Sequence, residues 1–138
     1  MARVSIDMPE HYSFSTELPI RINDTNGGHL SNYAVLALIH EARLHFLAQY
    51  GYNEEHIILT DSAIVYKSEG FYGDILCFDM AAGDFNKYGC DIFYRVRNKK
   101  TGADIAHAKT GMVYYDYQQQ KVSTLPDEWR AALNPDSL

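Results

Sequence analysis

The sequence predicts an α+β fold in which one long central helix is wrapped by a curved antiparallel sheet of about five strands. Three observations carry this. An apolar stripe of helical period lies between Ser31 and Tyr50; one extended segment precedes it and about four follow; and glycine- and asparagine-rich turns join most of those four, which makes sequence neighbours antiparallel. At 138 residues, with neither an internal repeat nor a linker, residues 1–138 read as a single domain long enough to bury a core.

The first strand reads from about Tyr12 to Ile22. Pro19 has no N–H to give to a ladder, so this strand belongs at a sheet edge or carries a bulge there. Ser31 or Asn32 then caps a helix running to about Tyr50, with Val35, Leu38, Ile39, Ala42 and Phe46 on one face and Gly51 ending it. A helix of that length lies across a whole sheet. Ile57 to Glu69 is the next strand, followed by a turn around Phe71-Tyr72 flanked by Gly70 and Gly73. Asp74 to Phe85, Tyr88 to Lys99 and Ala103 to Tyr117 complete the sheet, with turns at Asn86-Lys87 and Asn98 to Gly102. Both alternating sets of Ala103 to Tyr117 are mixed, so that strand is covered on both faces for part of its length. Pro126 opens a short C-terminal helix. Such a unit leaves a sheet edge and part of the helix open, which predicts a homodimer, with a dimer of dimers as a further step.

Composition excludes several classes. A net charge of −6 argues against nucleic acid, whose phosphates need clustered Lys and Arg. The one dense basic run, Arg95, Arg97, Lys99 and Lys100, reads as a solvated hairpin edge, with phosphate binding as the alternative. No apolar run reaches membrane length and the N-terminus has no secretory core, so no membrane partner and a cytoplasmic setting are expected. Cys77 and Cys90 each sit among apolar strand residues and read as buried free thiols. No CxxC or HExxH spacing exists, so no metal site is expected. His11, His40, His56 and His107 read as solvated or hydrogen-bonded side chains.

The chemistry concentrates in Asn23 to Asn32, where Asp24, Asn26, Gly27, Gly28 and His29 run straight into the helix. Asp24 is the only carboxylate of this loop and the candidate general base or nucleophile; bracing the loop as an Asx-turn is its alternative role. His29 is placed to orient water or substrate. Amides from Gly28 to Leu30 are candidate oxyanion donors, with Gly27 and Gly28 allowing close approach to the backbone. Asn26 or Asn32 can hydrogen-bond an acyl carbonyl.

Gly28-His29-Leu30-Ser31-Asn32 followed by Glu41-Ala42-Arg43, with Ser68 to Asp74 (SEGFYGD) downstream, resembles the hotdog-fold acyl-CoA thioesterases related to 4-hydroxybenzoyl-CoA thioesterase. The resemblance spans roughly Tyr12 to Tyr117. It implies a hotdog fold and hydrolysis of an acyl-CoA, or acyl-carrier, thioester to a carboxylic acid and a thiol at a dimer interface. Coenzyme A enters as part of the substrate, and no other cofactor is implied. Most relatives carry a second acid as Asp-x-Asp; here that position reads Asn26 counted from the front, or Thr25 counted back from Gly28-His29. Glu41 is helix-borne and structural in this reading, and Arg43 and His45 are partner or interface contacts. Asp24, Asn26 and His29 also stand at the spacing of (R)-specific enoyl-CoA hydratases, without their proline. Non-catalytic binding of acyl-CoA or acyl carrier protein is the remaining alternative.

Overall fold

The computed structural model describes residues 3–134. Strand β1 (Phe14–Pro19) leads through a 3-10 turn (Ile22–Asp24) into a small hairpin, β2 (Thr25–Asn26) and β3 (His29–Leu30), and then helix α1 (Asn32–Ala48). Four long strands follow: β4 (Ile57–Tyr66), β5 (Ile75–Gly83), β6 (Gly89–Asn98) and β7 (Asp104–Asp116). A short β8 (Lys121–Ser123) and helix α2 (Asp127–Leu133) complete the described chain. The sheet order is β1-β5-β6-β7-β4, with every pair antiparallel and β8 added to the end of β7.

This order explains the length of α1. The chain leaves one sheet edge at β1 and re-enters at the opposite edge as β4, so the connection must cross all five strands. Four spacings of about 4.8 Å make about 19 Å, and 17 helical residues span about 26 Å. The stripe Val35, Leu38, Ile39, Ala42 and Phe46 is buried against Phe78, Met80, Ile92, Tyr94, Ala106, Ala108 and Met112 of β5, β6 and β7. Register shifts at Leu59/Asp61 in β4 and at Val96/Arg97 in β6 add the local twist that bends the sheet around the helix.

Several boundaries differ from the sequence reading; β4, for one, ends at Tyr66 rather than Glu69. The first strand stops at Pro19 rather than Ile22, because the next residues coil into the 3-10 turn; β1 is indeed an edge strand. The helix stops at Ala48, two residues short of the expected Tyr50. Strand β8 has no counterpart in the sequence reading, since only three residues follow a Gln118–Gln120 turn too polar to mark a strand. On the outer face of β7, Lys109 shares a cavity wall with Ser5, Ile6 and Asp7, so the N-terminal segment supplies the second cover expected for that strand.

Arg43 is not the interface residue expected from sequence. It is 5% exposed, and its guanidinium bonds Glu54 and, at 3.2 Å, the Tyr94 hydroxyl, which in turn meets Thr110 at 2.6 Å. His40 closes the network on the other Glu54 oxygen at 3.0 Å. His45 is exposed and lies 2.9 Å from the Thr16 hydroxyl. His107 meets Asp104 at 2.8 Å. His56 departs from the expectation for the histidines: its ring stacks on Tyr114 and its Nδ1 is buried without a hydrogen-bond partner.

Both cysteines are free and buried. Burial raises the thiols of Cys77 and Cys90, the latter to about 12, and raises the phenol of Tyr94. For groups raised in the folded state the sign is fixed: their stability is fully present below the pKa of the unfolded chain and is lost as pH climbs toward the folded value. We therefore expect native protein to give no thiol titre near pH 8, and its melting temperature to fall steadily from about pH 9 upward. A native titre of two thiols, or a flat melting profile into strong alkali, would contradict this burial. Among the described residues no helix is long and apolar enough to cross a membrane.

Candidate active site

The polar loop is built by two glycines. Asn26 and His29 pair across a two-residue connection, Gly27 and Gly28, whose φ values are +64° and +88°. Positive φ at both central positions is the requirement of a type I′ hairpin turn, which glycine meets without strain. These glycines therefore shape the hairpin. A backbone zipper clamps the hairpin to the β4–β5 loop: Leu30 N–H donates to Gly70 O (2.8 Å), Tyr72 N–H donates to Gly28 O (3.0 Å), and His29 bridges Phe71. Gly70 packs closely there: a Cβ would lie 2.8 Å from Ile20 Cδ1, and the Ile20 side chain would have to shift.

Asp24 closes the 3-10 turn. Its Oδ2 accepts the Arg21 backbone N–H at 2.8 Å and faces Arg21 Nε at 3.4 Å, and Arg21 reaches on to Glu41 of α1 at 3.4 Å. The Asp24 carbonyl accepts both the Ser31 N–H (2.9 Å) and the Ser31 hydroxyl (3.0 Å). These are the bonds of a brace, the alternative role read from the sequence, and they tie the loop to the helix start. Glu41 takes the structural place expected for it.

Ser31 is the N-cap of α1, yet its hydroxyl is spent on Asp24 and no side chain caps the helix. The first N–H groups of a helix have no acceptor within it, which leaves those of Asn32 and Tyr33 available. The amide of Leu30, one of the expected oxyanion donors, is instead consumed by Gly70. Free helix-start amides therefore lie at Asn32 and Tyr33, just beyond the Gly28 to Leu30 stretch. A lone peptide segment cannot reveal which of its amides a distant loop will occupy.

Beside this helix start lies a cavity of about 260 Å³. Leu30, Val35 and Ile105 give it apolar walls; Asn32, Tyr66, Lys67, Ser68, Glu69 and Gly70 complete the lining. Of the residues expected from sequence, Leu30 and Asn32 line it. Asp24, Asn26, Gly27, Gly28 and His29 do not, although His29 stands at its rim, with Nδ1 3.2 Å from Glu69 Oε2 and its ring against Phe71. Glu69 is the one carboxylate in the lining, and it was read from sequence only as the end of a strand. No local signal separates it from any other exposed strand-end acid; only the zipper brings it to the helix.

Three of the four basic side chains of the Arg95 to Lys100 run pair within the subunit. Arg95 pairs with Asp104, Arg97 with Asp79 and Lys99 with Glu17, at 3.0, 2.7 and 3.0 Å. That is the arrangement of a hairpin edge, and Lys100 lines a cavity there with Lys99 and Asn98. Among the described residues no three His, Cys, Asp or Glu side chains converge as a metal-holding group.

Comparison with known proteins supplies the context. No curated protein matches the chain. Among solved structures, a 1,4-dihydroxy-2-naphthoyl-CoA thioesterase from Synechocystis superposes with a TM-score of 0.81 at 20% identity, over 89% of this chain and 97% of that one. A thioesterase from Thermus thermophilus, complexed with coenzyme A and Zn, gives 0.80 at 16% identity, covering 89% and 98%. A thioesterase-superfamily protein from Jannaschia sp. CCS1 gives 0.81 at 15% identity, covering 94% and 86%. At these identities the likeness is one of fold, the hotdog fold expected above. The profile of the thioesterase-like superfamily matches residues 20–133, which takes in the hairpin, α1, the cavity and the whole of β4 to β8. This chain belongs to the thioesterase-like superfamily.

Proposed function

We propose that this protein hydrolyses the thioester of an acyl-coenzyme A, or of an acyl carrier, to a carboxylic acid and a free thiol. The observation that carries the reading is the cavity set against an uncapped helix start. A thioester carbonyl entering it would direct its oxygen toward the Asn32 and Tyr33 amides, where the helix dipole also favours negative charge. Such preorganised donors are worth about 3–4 kcal/mol each in a water-poor site. The acyl group would run along Leu30, Val35 and Ile105, and Asn32 is placed to hold the carbonyl. Superfamily membership favours hydrolysis over hydration of an enoyl thioester or binding without turnover. Lys67 in the cavity wall supplies a cation for the anionic part of coenzyme A, which the Thermus relative holds.

The site is completed by a second copy of the chain. Strand β4 ends the sheet, and its free edge runs directly into Tyr66 and Lys67 of the cavity wall. Antiparallel pairing of β4 with its counterpart would extend the sheet and close the open side of the cavity. Tyr33, Leu36 and Leu44 leave an apolar stripe exposed on α1, the surface on which two dimers would join. Reduced, buried cysteines fit a cytoplasmic setting.

The test is a thiol-release screen over short, long and aromatic acyl-CoAs, with crotonyl-CoA included. Because both protein thiols are buried, a thiol reagent reads product alone. We expect turnover with kcat/KM of at least about 10⁴ M⁻¹s⁻¹ on the best substrate. Loss of the crotonyl double bond without thiol would make the protein a hydratase, and folded protein that releases thiol from none of these esters would sink the proposal.

A further inference from the structure

We infer that Glu69, not Asp24, is the general base of this site, and that His29 positions it. The inference rests on thioester hydrolysis as proposed above. Four observations converge. Glu69 is the single carboxylate lining the cavity at the helix start. Its Oε2 lies 3.2 Å from His29 Nδ1, and among the described residues the carboxylate makes no other ion pair. Its backbone is fixed from both sides: Gly70, the next residue, accepts the Leu30 N–H, and Leu30 lies two residues before the first turn of α1. Asp24, by contrast, is committed to Arg21 and lies outside the lining.

The His29–Glu69 pair has no evident structural purpose. Both side chains are more than half exposed, and an exposed ion pair contributes little to stability. What the pair does achieve is to hold a carboxylate at the rim of a cavity that Asn32, the first residue of the uncapped helix, also lines. That is the separation of roles an acyl hydrolysis needs: a base on the water side and donors on the oxygen side.

The step balances without any further reagent. Glu69 takes one proton from water as its oxygen bonds to the thioester carbon, and the Asn32 and Tyr33 amides hold the resulting oxyanion. The carbonyl re-forms as the carbon–sulfur bond breaks, and the protonated Glu69 returns its proton to the departing thiolate. His29, whose Nδ1 lies 3.2 Å from Glu69 Oε2, keeps the carboxylate at the rim through both transfers.

The experiment compares wild type with Glu69→Gln, Asp24→Asn, His29→Ala and His29→Asn on the best acyl-CoA substrate. Glu69 is exposed, so its isosteric amide leaves the fold intact, which a thermal melt verifies. We expect Glu69→Gln to lower kcat by about 100-fold or more, with KM within about 3-fold of wild type. Asp24→Asn should lose far less activity and mainly thermal stability. His29→Ala should lower kcat with KM unmoved, and His29→Asn, which keeps an N–H donor, should restore part of that loss; a residue that merely packed would show no such rescue. If Glu69→Gln keeps wild-type kcat, or if Asp24→Asn alone abolishes turnover in folded protein, the assignment is overturned while thioester hydrolysis stands. A wild type that releases no thiol removes the hydrolysis reading itself, and the role of Glu69 with it.

Discussion

Replacing Arg43 by methionine is expected to lower the unfolding free energy by about 3 kcal/mol, and the melting temperature by roughly 10 °C in a chain of this size. The guanidinium is 5% exposed and bridges Glu54 on one side to the Tyr94 hydroxyl on the other. Methionine fills much of the same volume, so the loss is electrostatic rather than a cavity. It strands a partly buried carboxylate, whose remaining partner is His40 at 3.0 Å. That surviving bond is why the figure is placed at the low end of the range for breaking a buried pair. The reverse change, Glu54→Leu, leaves the more deeply buried charge unpaired and should cost at least as much. The double variant Arg43→Met/Glu54→Leu should recover a substantial share, because neither charge then needs solvating. Thermal melts of the three variants close the cycle; additive losses would show that the pair is not coupled as drawn. Function should follow stability here, since Arg43 lies on the half of α1 away from the cavity.

Gly89→Ala is expected to be more damaging still. Gly89 opens β6 opposite Val113 of β7, and a Cβ there would lie 1.9 Å from the Met112 carbonyl oxygen, 2.8 Å from its carbon and 2.9 Å from Val113 Cα. All three obstacles are main chain, which no rotamer can move. The strands would have to part at the point where β7 also bonds Tyr88 through the Tyr114 N–H at 2.8 Å. Overpacking against movable side chains costs about 1–3 kcal/mol, and a main-chain collision in a sheet centre exceeds it. We expect insoluble protein, or a melting temperature lowered by more than about 10 °C. Gly83→Ala is the matched control. Its nearest neighbour is the edge of the Phe93 ring at 3.2 Å, which can tilt aside. If Gly89→Ala melts with wild type, the register drawn between β6 and β7 is wrong.

Much of the architecture is legible in the chain itself. The stripe from Val35 to Phe46 announces both the helix and the face it buries. Alternation and turn residues place four strands after it, and Pro19 marks β1 as an edge. The hairpin glycines, the helix start and the family motif point to the region where the cavity lies. Within that region the individual roles were not legible. Asp24 offers a carboxylate beside a histidine in sequence, yet folding turns it onto Arg21. Arg43 has the composition of an interface residue, yet it is enclosed by Glu54 and Tyr94, 11 and 51 residues away. Glu69 carries no local mark at all, and comes to the cavity beside the helix start only when Gly70 closes on Leu30 across 40 residues of chain.

By itself the sequence determined the two helices and the five principal strands, their order, the core face of α1 and the superfamily. These follow from periodicity, turn chemistry and short motifs, each a property of residues within a few positions of one another. Tertiary structure alone decided that β1 and β4 lie at opposite edges, which amides of the helix start stay free, and which carboxylate stands in the cavity. Those outcomes depend on which distant loops exchange backbone hydrogen bonds, and a donor's or an acid's availability is settled only when every competing partner has been placed.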